Sequence, residues 1–143
     1  MDYVSARFAC AVVGNAVVGV HGPDDPNDAD WTAYLNAGRE IMATGQDLCV
    51  LAYSLGGGPN SVQRSQVNDL FKNRPQRVAV MLNSALARGA VTALSWFNNR
   101  IKAFNLEQVD EACRHLELSE AHTRRVKAAL ERLREQLLAA KRS

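Results

Sequence analysis

The 143-residue sequence has little of what marks a membrane-spanning or secreted protein, since it lacks long apolar runs and only 6% of its residues are aromatic. A membrane-spanning helix needs roughly 20 mostly apolar residues, whereas Gly, Asn or charged residues interrupt every apolar stretch here within about ten positions. The N-terminus also lacks a basic leader ahead of its apolar part, which is atypical of a signal peptide. We therefore expect a cytoplasmic, globular protein without integral membrane association.

Cysteine is scarce, and the three cysteines present are far apart. Cys10, Cys49 and Cys113 lie in apolar surroundings and form no CxxC pair. This spacing is unlike a disulfide framework or a zinc site, so we interpret all three as buried core thiols.

Histidines are equally few and show no spacing that carries chemistry. His21, His115 and His122 form neither an HxxxH nor an HExxH pair, and the sequence contains no GxSxG motif. Such motifs would supply metal ligands or an activated nucleophile. We therefore predict no catalytic residue, no metal site and no cofactor, and we expect that the protein is not an enzyme.

The sequence does contain a regular alternation of strand-like and helix-like segments. Residues 4–21 are β-branched and small apolar residues interrupted by Gly14-Asn15, which predicts a β-hairpin. Three further strands are predicted over 48–54, 77–82 and 101–104. Helices are predicted before, between and after them: one capped by Asp28 and ending near Gly45, one starting at Ser61, and one capped by Asn105. A fourth helix, capped by Asn83 or Ser84, is predicted to run through Leu86, Val91, Leu94 and Phe97. This order favours an α/β fold with a small, mainly parallel or mixed sheet between flanking helices, opened by the hairpin.

The C-terminal segment is one long amphipathic pattern without Gly or Pro. Val126, Leu130, Leu133 and Leu137 form a single apolar stripe, so we divide the chain into an α/β domain, 1–117, and a C-terminal amphipathic helix, 118–143. Four such side chains left in water would forgo a large contribution to stability. We expect a partner protein or a second copy of the chain to cover them. The alternative is that the helix folds back across its own sheet.

The basic character of the chain is concentrated in this segment, where residues 118–143 hold seven Lys/Arg and three Asp/Glu. The cations alternate with glutamates around a regular apolar stripe. That is typical of a solvated helix and not of a nucleic-acid-binding surface, so we predict no nucleic-acid partner.

A Gly-rich loop, LGGGPN, separates a predicted strand from a predicted helix. This arrangement gathers the N–H groups of Gly56, Gly57 and Gly58 at the positive end of a helix dipole, where an anion or a partner could bind, with Asn60 and Arg64 beside it. The spacing matches neither the GxxxxGK[ST] nor the GxGxxG motif. A ligand-binding loop and a purely structural turn, with Arg64 simply exposed, both stay open.

Four aspartates follow the hairpin: Asp24, Asp25, Asp28 and Asp30. Carboxylate oxygens suit a hard cation, but this spacing is not that of a calcium loop. We therefore interpret the aspartates as acids that cap the start of a helix and complement its dipole.

The element order, together with the closing phrase IKAFNLEQVDEACRHLEL, resembles the STAS and STAS-like family, which includes the anti-sigma-factor antagonists. The resemblance covers residues 1–117 and implies a regulatory domain. In the antagonists, a helix after a central strand begins with an Asp-Ser pair whose serine is phosphorylated by a partner kinase. Asn60-Ser61 stands at that position here, so the resemblance implies Ser61 as a candidate regulatory phosphosite. The missing aspartate and the inserted GGGP depart from the family pattern.

These patterns favour a non-enzymatic regulatory or scaffold protein that acts in signalling through protein–protein contacts, with another protein or with itself as a homo-oligomer. One alternative is a sensor that holds a phosphate, nucleotide or lipid head group at the loop from Gly56 to Ser61. The other is an enzyme of unidentified type.

Overall fold

The computed structural model of the chain describes residues 2–72, 74, 76–95 and 100–142, with the backbone alone for 93–95. Its strands are β1 (Tyr3–Val4), β2 (Phe8–Val13), β3 (Ala16–His21), β4 (Cys49–Ser54), β5 (Arg77–Leu82) and β6 (Ile101–Phe104). Its helices are α1 (Asp28–Ala43), α2 (Ser61–Phe71), α3 (Ala85–Ser95), α4 (Val109–His115) and α5 (Glu120–Arg142). None of these helices is both long enough and apolar enough to cross a membrane.

The strands form one mixed sheet in which they lie side by side in chain order. β1, β2 and β3 are antiparallel neighbours, and the tight turn at Gly14-Asn15 joins Val13 to its partner Ala16. β3 to β6 are parallel. Ser54 of β4 pairs with Leu82 of β5, so both strands end at the same edge of the sheet. The predicted α/β fold with an opening hairpin and a mixed sheet is confirmed.

Helices cover both faces of the sheet, because successive side chains of each strand point to opposite faces. On one face, Val17 and Val50 pack with Ile41 of α1 and Phe71 of α2. On the other face, Leu51 and many other strand residues pack with α4 and α5. Since α4 covers β5 and β6 on that second face, α3 lies on the first one with α1 and α2, as right-handed crossovers require.

Local capping explains where α1 begins. Asn27 caps α1, one residue before the predicted Asp28, because its side chain accepts from the N–H of Asp30. The predicted start after Asn105 is also wrong, since residues 105–108 form a turn and α4 begins at Val109. The helix predicted to reach Phe97 is confirmed to Ser95, and Phe97 lies outside the described residues.

The long helix α5 packs on its own sheet. Val126, Leu130, Leu133 and Leu137 are all buried, at most 6% exposed, in the core cluster formed with β2, β3 and β4. The expectation that a partner or a second copy covers this stripe is therefore wrong, because the sheet offers an apolar face that the stripe fits.

Polar contacts hold α5 against the domain along its length. Nε2 of His122 lies 2.7 Å from the Val13 carbonyl, and Arg132 donates to the carboxylate of Asp2 at 2.7 Å. The stretch of α5 from Val126 to Leu137 thus shares one core with the sheet.

The three cysteines are buried and free, which confirms that they are core thiols. Burial raises the pKa of Cys10 to about 12 and that of Cys49 to about 11, so both thiols stay protonated at neutral pH. Neither supplies the thiolate that nucleophilic chemistry needs.

Candidate functional site

The residues predicted for the site meet at the edge of the sheet where the parallel strands end, which we call the carboxyl edge. The Gly-rich loop leaves Ser54 at the end of β4 and enters α2 at Ser61. Asn60 caps that helix reciprocally: its side chain accepts from the N–H of Gln63 at 2.8 Å, and the Gln63 side chain accepts from the N–H of Asn60 at 3.0 Å. This capping box fixes the direction in which α2 starts.

The N–H groups of the three glycines are already used inside the chain. That of Gly56 donates to the hydroxyl of Ser54 at 3.0 Å, and that of Gly57 to the carbonyl of Gly22 at 2.8 Å. The N–H of Gly58 donates to the carboxylate of Asp25 at 3.0 Å. An anion could bind these groups only by displacing those acceptors, so the geometry favours a structural turn over an anion-binding loop.

Close packing, more than backbone freedom, explains the glycine at position 57. A Cβ there would overlap the carbonyl oxygen of Asp24 and lie 2.7 Å from that of Gly22. Gly57 therefore allows the loop to lie directly against the segment that follows β3. Gly56 is different, since its φ of 131° is one that side chains oppose.

A buried hydrogen-bond relay ties this turn to α1. The indole N–H of Trp31 donates to the Gln63 carbonyl at 3.0 Å, and the side-chain amide of Gln63 donates to the carbonyl of Pro26 at 3.1 Å. Gln63 is 2% exposed. Sequence reasoning missed this residue, although a Gln three residues after an Asn is the signal of a capping box.

Two of the aspartates after the hairpin, Asp25 and Asp30, act as structural acceptors. Asp30 is completely buried and accepts from the hydroxyl of Tyr3 at 2.7 Å and the N–H of Asn27 at 3.0 Å. Burial, with this hydrogen bond, raises the pKa of Tyr3 to about 12. Within the described ranges, no group of three or more His, Cys, Asp and Glu side chains is placed to hold a metal ion.

Exposed apolar side chains mark the carboxyl edge. Val62 is 65% and Leu86 is 87% exposed, and each is the second residue of its helix, α2 or α3. The predicted helix through Leu86 and Val91 is present as α3, and Leu86 is exposed at its start. Because β4 and β5 end together and both helices lie on the same face of the sheet, α2 and α3 both start at the carboxyl edge, and Val62 and Leu86 are exposed there.

Each of these helices also has an arginine at its fourth residue that folds back toward the helix start. The guanidinium of Arg64 donates to the Pro59 carbonyl, and that of Arg88 to the Leu82 carbonyl, both at 2.8 Å. We call Ser61, Val62, Arg64, Leu86 and Arg88 the edge surface. Ser61 is exposed on it, at the first position of α2.

His21 ends β3 behind this edge and is 6% exposed among the rings of Phe8 and Trp31. Its Nδ1 is buried and has no hydrogen-bond partner within the described structure. Burial lowers the pKa of His21 to about 4, so the ring is neutral at physiological pH.

Comparisons with protein-family models, with curated proteins and with solved structures find no match to this chain. Membership of the STAS-like family therefore stays a prediction, and a function for the chain must be inferred from its own geometry.

Proposed function

We propose that this chain is a non-enzymatic regulatory or scaffold domain, of the STAS-like type, that binds a partner protein through the edge surface. The observation that carries the proposal is the exposure of Val62 and Leu86 at equivalent positions of neighbouring helices. A single exposed apolar side chain is ordinary, whereas two at the same edge of the sheet offer apolar area that a partner can cover.

The rigidity of the edge surface supports this proposal. The capping box of Asn60 and Gln63, and the bond from Trp31 to the Gln63 carbonyl, fix the first turn of α2 against α1. A surface already held in one conformation loses little conformational entropy when a partner binds, so more of the contact energy appears as affinity.

A small-ligand sensor has less support, because the loop N–H groups donate to Ser54, Gly22 and Asp25 and are not free for an anion. Self-association loses its main argument as well, since the α5 stripe is buried within the chain. We therefore place a different protein, not a second copy, at the edge surface.

The resemblance to the antagonists suggests how binding is regulated. Ser61 is exposed at the first position of α2 and available to a kinase. We propose that phosphorylation there switches partner binding, as part of signalling in the cytoplasm.

Photo-crosslinking in the cells that make the protein tests the proposal. Leu86, and separately Val62, is replaced by benzoylphenylalanine, and Leu138 of α5, which is 49% exposed, serves as the matched control. We expect the same protein adduct from positions 86 and 62 and not from position 138. The proposal fails if positions 86 and 62 give only the adducts that position 138 also gives.

A further inference from the structure

Two cations on the edge surface have no ion-pair partner among the residues that the structure describes. Neither Arg64 nor Arg88 lies within ion-pair distance of a carboxylate in the described residues, and each guanidinium binds a main-chain carbonyl. Four of the seven cations of α5 differ, because they are paired with carboxylates: Arg124, Lys127, Arg132 and Arg134. The edge arginines thus keep donors for a ligand outside the chain.

The helices that carry these arginines also begin without acidic residues. α1 has Asp28 and Asp30 in its first turn, and α5 has Glu120, whereas the first turns of α2 and α3 have none. Neither first turn holds an acid to compensate the positive end of its dipole, and the Asp25 carboxylate is bound to the N–H of Gly58 in the loop before α2. Between residues 61 and 95 the chain holds five Lys/Arg and a single acid, Asp69.

A ligand of the edge surface must supply apolar contacts as well as negative charge. Val62 and Leu86 lie in the same first turns as the arginines and need apolar contacts to leave water. A free phosphate offers none, and the glycine N–H groups that would hold it are occupied. Nucleic acid would satisfy the cations but gives Val62 and Leu86 little to bury.

We infer that the partner presents an acidic segment with bulky apolar side chains, whose carboxylates pair with Arg64 and Arg88 while its apolar groups cover Val62 and Leu86. This inference rests on the proposed docking function and names the chemistry of the partner. Apolar burial supplies most of the affinity in such a contact, and complementary charge selects the partner and its orientation.

Selection of a random peptide library on the intact protein tests the inference. We expect the enriched peptides to carry net negative charge and at least one large apolar residue. The best acidic peptide should bind the Arg64→Gln/Arg88→Gln variant about tenfold more weakly, since each exposed ion pair contributes up to about 1 kcal/mol. Arg64→Lys/Arg88→Lys, which keeps both charges, should recover part of the loss.

A matched control removes the same charge elsewhere. Lys72→Gln/Arg125→Gln takes away two exposed cations that lie outside the edge surface and should leave peptide affinity unchanged. Unchanged thermal melting of each variant shows that the comparison concerns binding and not folding.

The outcomes separate this inference from the proposed function. Peptides that are neutral or basic but lose binding in Val62→Ala/Leu86→Ala overturn the acidic partner and leave the docking function standing. If neither Arg64→Gln/Arg88→Gln nor Val62→Ala/Leu86→Ala weakens peptide binding, both the acidic partner and the docking function are overturned. A DNA or RNA oligonucleotide that binds through Arg64 and Arg88 more tightly than any selected peptide also overturns the acidic partner.

Discussion

The indole N–H of Trp31 donates a buried hydrogen bond to the carbonyl of Gln63, 3.0 Å away, and so joins α1 to the turn that carries the edge surface. The sequence separates these residues by 32 positions. The position of Val62 and Arg64 therefore depends on a contact made by a different helix.

Trp31→Phe should destabilise the fold by about 2 kcal/mol, because it removes this hydrogen bond and leaves a small void. Chemical denaturation measures the change. Tyr34→Phe is the control, since the Tyr34 ring lies 4.6 Å from that of Trp31 and loses a hydroxyl to which the described structure gives no partner. Equal stability of wild type and Trp31→Phe would contradict the role of the bond.

Gly57→Ala should destabilise the domain by more than about 2 kcal/mol, because the new Cβ would overlap the Asp24 carbonyl and force the loop to move. Gly58→Ala is the matched control, since a Cβ there has nothing within 4 Å. Thermal unfolding should show a large drop for the first variant and little change for the second. Similar melting of the two would show that the loop does not pack as described.

Much of the fold can be predicted from the sequence, because apolar runs bounded by Gly, Pro and capping residues mark β2 to β6 and the helices. β1 is missed since Tyr3 and Val4 are too few to show a period, and Tyr3 is placed partly by Asp30. The covering of α5 is missed for a different reason. An amphipathic stripe shows that an apolar surface must cover it and does not show whose surface that is.

The candidate site is predicted in part. The positions of Asn60 and Ser61 at a helix start follow from local capping chemistry, which the sequence displays. The use of the glycine N–H groups by Gly22 and Asp25 depends on tertiary contacts and is not visible in the sequence. Likewise, apolar periodicity cannot show that Leu86 stays exposed.

The packing of α5 makes a direct prediction about stability. Leu133 is completely buried, so Leu133→Ala should lower the free energy of unfolding by about 3 kcal/mol. Leu138→Ala in the same helix is the control and should change stability by less than about 0.5 kcal/mol. Light scattering should find the mass of both variants equal to that of the wild type. If Leu133→Ala lowered the mass and left stability unchanged, the stripe of α5 would be covered by another molecule and not by its own sheet.

The lowered pKa of His21 predicts how the stability of the fold depends on pH. Its pKa is about 4 in the folded protein, against 6.5 when free, because burial favours the neutral ring while Asp25 and Asp30 oppose this only in part. The unfolded chain therefore binds the proton first as pH falls. The stabilising contribution is complete above pH 6.5 and is lost progressively between pH 6.5 and about 4.

At pH 5 this loss should amount to about 2 kcal/mol. Urea denaturation at several pH values measures it. His21→Leu cannot take up the proton and should show a flatter profile over that interval. A profile as steep as that of the wild type would assign the pH dependence to other groups.

Ser61→Asp should leave the fold intact and raise its stability by about 0.3 to 1 kcal/mol, since an acid in the first turn of α2 complements the dipole. The same charge should weaken binding of an acidic partner, as a phosphate would. Ser65→Asp, one turn further on, is the control and should affect partner affinity less. Identical partner binding by wild type, Ser61→Ala and Ser61→Asp would rule out a switch at this residue.

The central claim is that Val62 and Leu86 bind the partner, and the affinity of the purified, crosslink-identified partner for the double variant tests it most directly. Isothermal titration should find Val62→Ala/Leu86→Ala at least about tenfold weaker than the wild type, because two apolar contacts are lost. Leu138→Ala, exposed elsewhere on the same protein, should bind as the wild type does. Equal affinity of the double variant and the wild type would contradict the claim.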